Sequence, residues 1–404
     1  MKTIIFLGAG SEQAHVLHLA QELGYKTCVL DSNKNAIGKK FADIFLNCDI
    51  TSTSDILKEV KNISVDGIFV HAIELSNVVA EVAEKLGLKG IKPEAAINST
   101  NKLKRLEIFK KNKITCVTFG ATNNILEAKK IAKDILYPVV IKPVDNAGSR
   151  GVILINNELE LEKYFFESLS YCKKEKIILI EEYLQGHQIS SETVIHNNKM
   201  FTTGFSDRNY EKMEKYFPYF VEDGGDMPTK INNKLKSKTI EIIEKSISSL
   251  GLDFGVAKGD LLIHNNIPIV IEMASRTSGG RFATHQVPIS TGVNILKPLL
   301  QMTCGDPINE NDFTPKFNLG CSQRYIMPEP GMITKVEGIE EAKKSPGVTS
   351  VIIDKDISLG TEIPKATNNV ARIGVVMAKG ETHDEAKFNA IRARDLIKIT
   401  TSPL

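Results

Sequence analysis

The stretch Tyr137 to Gly151, YPVVIKPVDNAGSRG, decides the fold. Val139, Val140 and Ile141 are β-prone and apolar, so Lys142 falls at the end of a buried strand and its ammonium needs something to face. Pro143 stops the strand. Asp145 to Gly151 follows as a small polar loop in which two glycines permit positive φ. Such a loop exposes backbone N–H groups. With Lys142 at one end and Arg150 inside, it has the makeup of a phosphate cradle, although its spacing is neither that of a P-loop nor that of a dinucleotide fingerprint. A hairpin turn between two strands accounts for the same residues without a ligand.

Outward on the N-terminal side, Thr3 to Leu7 reads as a buried strand. Gly8-Ala9-Gly10 turns it into a helix with Val16, Leu17, Leu19, Ala20 and Leu23 at helical spacing, and Gly24 ends that helix. Val29-Leu30-Asp31 completes a β-α-β unit of Rossmann-like type. The third glycine position of a dinucleotide motif is Gln13, so a nicotinamide cofactor is not favoured, and a nucleotide-like fold with no nucleotide in it is an equal reading. Asp66 to Val70 is a further strand and Asn77 to Leu86 a helix. Pro93 to Phe109 reads as one polar-faced helix with a cap at Asn98 to Asn101 and Lys102 after it. Lys113 to Val117 is expected as a short strand and Asn124 to Ile135 as a helix.

Outward on the other side, Ile153 to Ile155 pairs back, Glu158 to Tyr171 is helical, and the apolar strand Ile177 to Ile180 runs into Glu181-Glu182-Tyr183-Leu184-Gln185-Gly186. That edge suits a planar ring lying against backbone, and strand-end solvation explains the two acids equally well. Ser190 to Ile195 and Lys199 to Phe205 form a meander turning at Asn197-Asn198. Phe217 to Pro228 reads as a loop and Lys234 to Leu250 as an amphipathic helix. The densest chemistry lies in Gly251 to Gly280. Val256 to Ile263 and Ile267 to Glu272 form a hairpin that brings Asp260 and Glu272 together, and two buried carboxylates need a cation; hard oxygens suit magnesium held with phosphate. Ser275 to Arg281 is a glycine-rich turn with two guanidinium groups, suited to an anion. Capping acids and an ordinary Arg276 ion pair are the plain alternative.

In the last hundred residues Asn318 to Ile326, Gly331 to Val336, Val348 to Ile353 and Ala371 to Ala378 are strand-like, and His383 to Leu396 is helical. Few polar groups cluster there, so a structural or oligomerising unit is the preferred reading.

The chain has 404 residues, too many for one ordinary core, with 42% hydrophobic and 25% charged residues, a globular composition. A net charge of +2 gives no basic stripe for nucleic acid. The six cysteines form no C-x-x-C pair or Cys-His cluster, which fits a reducing, cytoplasmic setting without structural zinc. No window has the length of a membrane span.

In its order of parts the chain resembles the ATP-grasp superfamily over essentially its whole length. The resemblance implies an α/β and α+β architecture: a Rossmann-like unit over 1–93, a two-lobed ATP-grasp core over 94–303 with a lid at about 115–185, and a small α+β domain over 304–404. It implies that Lys102 and Lys142 hold ATP phosphates under the lid loop Asp145 to Gly151, including Ser149 and Gly151. Glu181, Glu182, Tyr183 and Leu184 match the adenine hinge, and Gln188 falls where many members carry a ribose-binding Glu. Asp260 and Glu272 match the metal-binding acids and Arg276 the arginine that steadies the reacting acyl phosphate; Arg281 and His285 are expected to face the substrates. Where many members read Glu-x-Asn-x-Arg, this chain reads Glu272-Met273-Ala274-Ser275-Arg276, so the Asn ligand is missing. The phrase is closer to the L-amino-acid ligase branch, which forms dipeptides.

The implied activity is ADP-forming carboxylate–amine ligation through an acyl phosphate, with ATP and Mg²⁺ (or Mn²⁺) as cofactors. The expected partners are a small carboxylate and an amine, with neither nucleic acid nor membrane, and with a homodimer as the assembly considered. A purine-biosynthesis type of carboxylase or formyltransferase shares the ATP site. A dehydrogenase built on the Gly8 turn and a nucleotide sensor without turnover are the other readings weighed.

Overall fold

A computed structural model describes residues 1–403. Thr3–Leu7 is buried along its whole length and takes an inner place in a four-stranded parallel sheet, between Lys26–Asp31 and Gly67–Val70, with Ile44–Asn47 outermost. Its alternating side chains serve two cores. Ile5 and Leu7 pack with Ile56, Val78 and Val82 on one face. Ile4 and Phe6 on the other share a core with Leu296, Leu299 and Met377, which fixes this unit to the rest of the chain.

The lid is an antiparallel sheet in the order Phe119–Thr122, Ile178–Glu182, Val139–Pro143, Ile153–Ile155. Two helices cover it, Ile125–Ile135 through Ala128 and Ala132, and Glu158–Ser170 through Leu161 and Phe165. The strand expected at Lys113 to Val117 lies later, at Phe119–Thr122. Val117 is buried in the core of the other lobe, so its apolar character reflects packing and not a ladder.

The large lobe is an eight-stranded antiparallel sheet. Its order is Ile267–Ala274, Gly255–His264, His187–His196, Lys199–Asn209, Gly224–Met227, Gly320–Ile326, Gly374–Gly380, Val348–Ile353. The hairpin turns at Asn197-Asn198 and Asn265-Asn266 have positive φ at both residues, as tight two-residue hairpins require. The expected loop from Phe217 to Pro228 contains the strand Gly224–Met227. Glycine is needed there because a Cβ on Gly224 would stand 2.3 Å from the Gln323 carbonyl oxygen. Through this strand the last hundred residues continue the same sheet. Glu362–Ile363, Gly331–Glu337 and Lys398–Ser402 form a separate three-stranded sheet, whose Ile333 and Ile363 share a core with Ile326 and Val376 of the large one.

The helix expected over Pro93 to Phe109 is two, Pro93–Thr100 and Lys102–Lys111. Asn101 is extended, and its side chain accepts from the Lys104 N–H. The break places Lys102 in the first turn of the second helix, beside the lid loop, with its N–H donating to Val144 O. No helix among the described residues is long and apolar enough to cross a membrane.

Candidate active site

A cleft of about 170 Å³ lies between the lid and the large lobe. Of the residues singled out in the sequence, Lys102, Lys142, Ser149, Glu181, Glu182, Tyr183, Leu184, Gln188, Asp260 and Glu272 all line it. Both lysines are nearly buried, at 8% and 6% exposure, and burial is tolerable only with partners. Lys142 Nζ stands 2.6 Å from Glu181 Oε2, a cross-strand neighbourhood set by the pairing of Val139–Pro143 with Ile178–Glu182. Lys102 Nζ donates to the Asn146 carbonyl. Burial lowers the Lys102 amine to about 8, with Glu272 pulling it back up and Arg105 and Lys142 pushing it further down.

The lid loop is built to keep its donors free. Asp145 accepts three N–H groups, from Lys173, Lys174 and Glu175. That anchors the loop's start. Gly148 and Ser149 have positive φ, and their N–H groups meet no acceptor among the described residues. Asn369 holds the loop tip from the C-terminal region, N–H to Gly148 O at 3.1 Å and Nδ2 to Ser149 Oγ at 3.1 Å. Gly151 lies behind the loop against Pro143 and Tyr171 and does not line the cleft. At the other end, the N–H groups of Glu182 and Tyr183 are engaged by Thr118 O and Pro138 O, whereas that of Leu184 has no acceptor among the described residues. Val140, Leu262 and Ile271 supply apolar walls.

Asp260 and Glu272 are direct partners in the hairpin register. Lys258, two residues before Asp260 and on the same face, reaches both: its Nζ is 2.7 Å from Glu272 Oε2 and also bonds Asp260 Oδ2. Arg208 Nη1 is 2.9 Å from Asp260 Oδ2, and Arg105 Nη2 is 3.9 Å from Glu272 Oε1. Burial alone would raise Glu272, but Lys258, Arg105 and Lys102 hold it well below the usual carboxylate range. No group of three His, Cys, Asp or Glu gathers as a metal cage among the described residues. The two hard carboxylates fit Mg²⁺ only if phosphate and water oxygens complete its shell.

A second cavity of about 440 Å³ adjoins the first, sharing the lid loop tip, Arg208, Asp260 and Glu272 with it. Arg276 lines it, with Nε 2.8 Å from Glu74 Oε2, and that carboxylate holds the guanidinium above its ordinary value against burial. Glu222 clamps Arg208 at 2.9 Å and Arg372 at 3.2 Å, and Arg372 lies 3.7 Å over the Tyr325 ring. Glu192 is wholly buried behind the wall. It accepts the Ser278 N–H at 3.1 and 3.2 Å, and burial pushes its carboxyl up to about 7.

Arg281 and His285 do not face either cavity. Arg281 adopts a left-handed φ of 66°, which directs its guanidinium to Asp354 at 2.6 Å and Glu12 at 3.7 Å. His285 packs on His15, ring centroids 5.3 Å apart, and burial lowers it to about 4. The C-terminal region, expected to be structural, supplies Gln323, Tyr325, Asn369 and Arg372 to the second cavity. Of the residues the sequence reading passed over, Arg105 and Lys258 carried a signal, one turn beyond Lys102 and one pleat before Asp260. Arg208, Glu222 and Arg372 come from separate elements and carried none.

Residues 99–280 match the family described as ATP-grasp domain. This stretch is an ATP-grasp domain. Residues 324–402 match the family described as L-amino acid ligase C-terminal domain 2, and the two matches together mark an ATP-dependent, ADP-forming carbon–nitrogen ligase with ATP and Mg²⁺ as cofactors. Over 412 residues the chain is 24% identical to formate-dependent phosphoribosylglycinamide formyltransferase of Sulfurisphaera tokodaii, covering 99% of this chain and 97% of the relative. The crystal structure of L-amino acid ligase from Bacillus licheniformis superposes with a TM-score of 0.84 at 19% identity, covering 100% of this chain and 99% of that one. The biotin carboxylase domain of 2-oxoglutarate carboxylase from Hydrogenobacter thermophilus, solved with MgADP and bicarbonate, gives 0.76 at 18% identity over 99% and 90% of the two chains. At these identities the solved structures show a common fold.

Proposed function

We propose that this protein joins an amino acid or another small carboxylic acid to an amine, through an acyl phosphate, with release of ADP and phosphate. The observation that carries the reading is the contact between the two cavities at Asp260 and Glu272. A γ-phosphate lying there has the lysines and lid N–H groups on one side and a cavity lined by arginines and acids on the other.

In this reading the adenine lies between Val140, Leu262 and Ile271 and accepts from the Leu184 N–H, with Gln188 near the ribose. Lys102, Lys142 and the N–H groups of Gly148 and Ser149 hold the phosphates. Asp260 and Glu272 would hold Mg²⁺, which would screen phosphate charge. A substrate carboxylate steered by Arg276 attacks the γ-phosphorus, the bond to the ADP oxygen breaks, and the amine then displaces phosphate from the acyl carbon. Glu74 keeps the Arg276 guanidinium aimed into the cavity. Glu74 and Glu222, already facing that space, are suited to an ammonium group.

A second reading, formyl transfer to a phosphoribosyl amine, is favoured by the whole-chain relatives. Such a substrate needs a seat for its phosphate. The N-terminal glycine turn offers little: Gly8 N–H donates to Leu30 O at 2.8 Å, Ala9 N–H to Asp31 Oδ2 at 2.7 Å and Gly10 N–H to Gln13 Oε1 at 3.0 Å. Amino acids presented pairwise with ATP and Mg²⁺ are expected to give ADP and phosphate in equal amounts. Release that depends on formate and a phosphorylated amine, and not on amino acids, would overturn the proposal in favour of the second reading. Arg276→Ala is expected to abolish release while ATP binding persists, and Arg276→Lys, which can still pair with Glu74, checks that the loss is not one of folding.

A further inference from the structure

Asp260 and Glu272 meet as a cross-strand pair, and the next pair on the same face of the ladder, two residues along, is Lys258 with Ala274. Alanine contributes no polar atom to the site, and the lysine opposite it reaches across. Its Nζ bonds Asp260 Oδ2 and lies 2.7 Å from Glu272 Oε2, so one ammonium bridges the two acids. The remaining oxygens are unequally placed. Asp260 Oδ2 also meets Arg208 Nη1 at 2.9 Å, and Asp260 Oδ1 accepts from Ser190 Oγ at 2.9 Å. Only Glu272 Oε1 has no partner closer than Arg105 Nη2 at 3.9 Å.

We infer that the Lys258 ammonium is a resident cation of this site, holding the place between Asp260 and Glu272 so that the enzyme binds a single divalent ion with each nucleotide. The inference rests on the nucleotide reading above. A divalent ion with near-octahedral demands needs several oxygens at close range. Asp260 Oδ2, with an ammonium and a guanidinium on it, has no lone pair left for a metal, and Ala274 supplies no side-chain oxygen with which to complete the shell of a second ion. Asp260 Oδ1, which keeps a lone pair beside the Ser190 hydroxyl, and Glu272 Oε1, together with phosphate oxygens and water, suffice for one ion. The ammonium cannot dissociate. A fixed positive charge beside the γ-phosphate therefore remains at any metal concentration, and phosphoryl transfer is served by one exchangeable ion in place of two.

The test counts Mn²⁺ by electron paramagnetic resonance, with the protein saturated by a non-hydrolysable ATP analogue. Wild type is expected to hold one Mn²⁺ per chain. The double variant Lys258→Gln, Ala274→Asn, which removes the ammonium and adds an amide oxygen opposite it, is expected to hold two. Ala274→Asn alone is expected to stay at one. Two ions in wild type would overturn the inference, and so would one ion in a folded double variant. Should the double variant fail to fold, the wild-type count still decides. Failure of the analogue to bind at all, measured separately by calorimetry with Mn²⁺ in excess, would instead remove the nucleotide reading on which the inference stands.

Discussion

Two glycine turns follow buried strands in this chain, and only one is fitted for phosphate. After Thr3–Leu7, the Gly8-Ala9-Gly10 turn has every N–H engaged by the protein's own acceptors, and the acid Glu12 follows in the first turn of the helix. After Val139–Pro143, the turn carries free N–H groups at Gly148 and Ser149, with Lys102 and Lys142 beside them. Glycine supplies the backbone path in both. What separates them is whether donors remain unengaged and which sign of charge stands next to them.

Removal of Lys142 should have the largest effect. Lys142→Ala leaves Glu181 buried with no cation, and Glu181 Oε1 already lacks a hydrogen-bond partner. The expected loss of stability is about 3–5 kcal/mol, measured by denaturant unfolding. Lys142→Met with Glu181→Gln should recover most of that loss and none of the ATP binding. Recovery of both would show that the pair is structural only and that the lid turn is no better a cradle than the first.

Glu192 applies the same criterion of matched charge to the wall of the second cavity. Its folded carboxyl titrates at about 7, above its ordinary value of 4.5, because burial outweighs the Ser278 bonds and the charges of Arg276 and Lys258. A group raised in this way contributes its stability in full below the unfolded value. The contribution is then lost as pH rises towards 7, amounting to a change on the order of 3 kcal/mol across that window. Glu192→Gln should flatten the dependence of unfolding free energy on pH between those limits. An unchanged slope would mean that Glu192 is ionised in the fold, held by the Ser278 N–H and nearby Arg276.

Much of this was legible in the chain, and the failures have physical causes. Apolar strands bounded by turn residues marked the parallel unit and the lid, and Asn265-Asn266 fixed the hairpin whose register pairs Asp260 with Glu272. The strand Phe119–Thr122 was missed because Gly120 looks like a breaker, yet a Cβ there would meet Ile131 at 2.6 Å. Gly224-Gly225 misled in the same way. Arg281 and His285 were misassigned because proximity in sequence to Arg276 says nothing about direction once Arg281 turns through a positive φ. Lys258 was visible as a residue of the same strand face as Asp260, but only the cross-strand geometry shows it between the two acids.

A smaller effect of the charge beside the lid turn is expected with pH. Lys102 titrates at about 8, below its ordinary value of 10.5, chiefly because it is buried, and a phosphate bound beside it should restore the ammonium. ATP binding should therefore take up close to one proton near pH 9 and weaken by about tenfold per unit above pH 8. Calorimetry in buffers of different ionisation enthalpy reads the uptake directly. The sign for stability is the reverse. Because the unfolded lysine holds its proton more tightly, unfolding free energy of the ATP-free protein should rise with pH between about 8 and 10.5 from this group.

The smallest effect is expected at the first turn, which should be indifferent to ATP. Asp31→Ala frees the Ala9 N–H, whose bond to Asp31 Oδ2 is 2.7 Å long, on a carboxylate that is only half-buried. Losing it should cost about 1 kcal/mol of stability. ATP affinity should not change, since no residue of that turn lines the cleft. Nor should the freed donor attract phosphate or a dinucleotide, because Glu12 remains alongside, and burial has not raised it: His71 and Arg281 hold its carboxyl below the ordinary value, so it stays an anion. If the variant bound inorganic phosphate, or the wild type bound a nicotinamide nucleotide, a free N–H would outweigh a neighbouring negative charge, and the contrast between the two turns would rest on donor count alone.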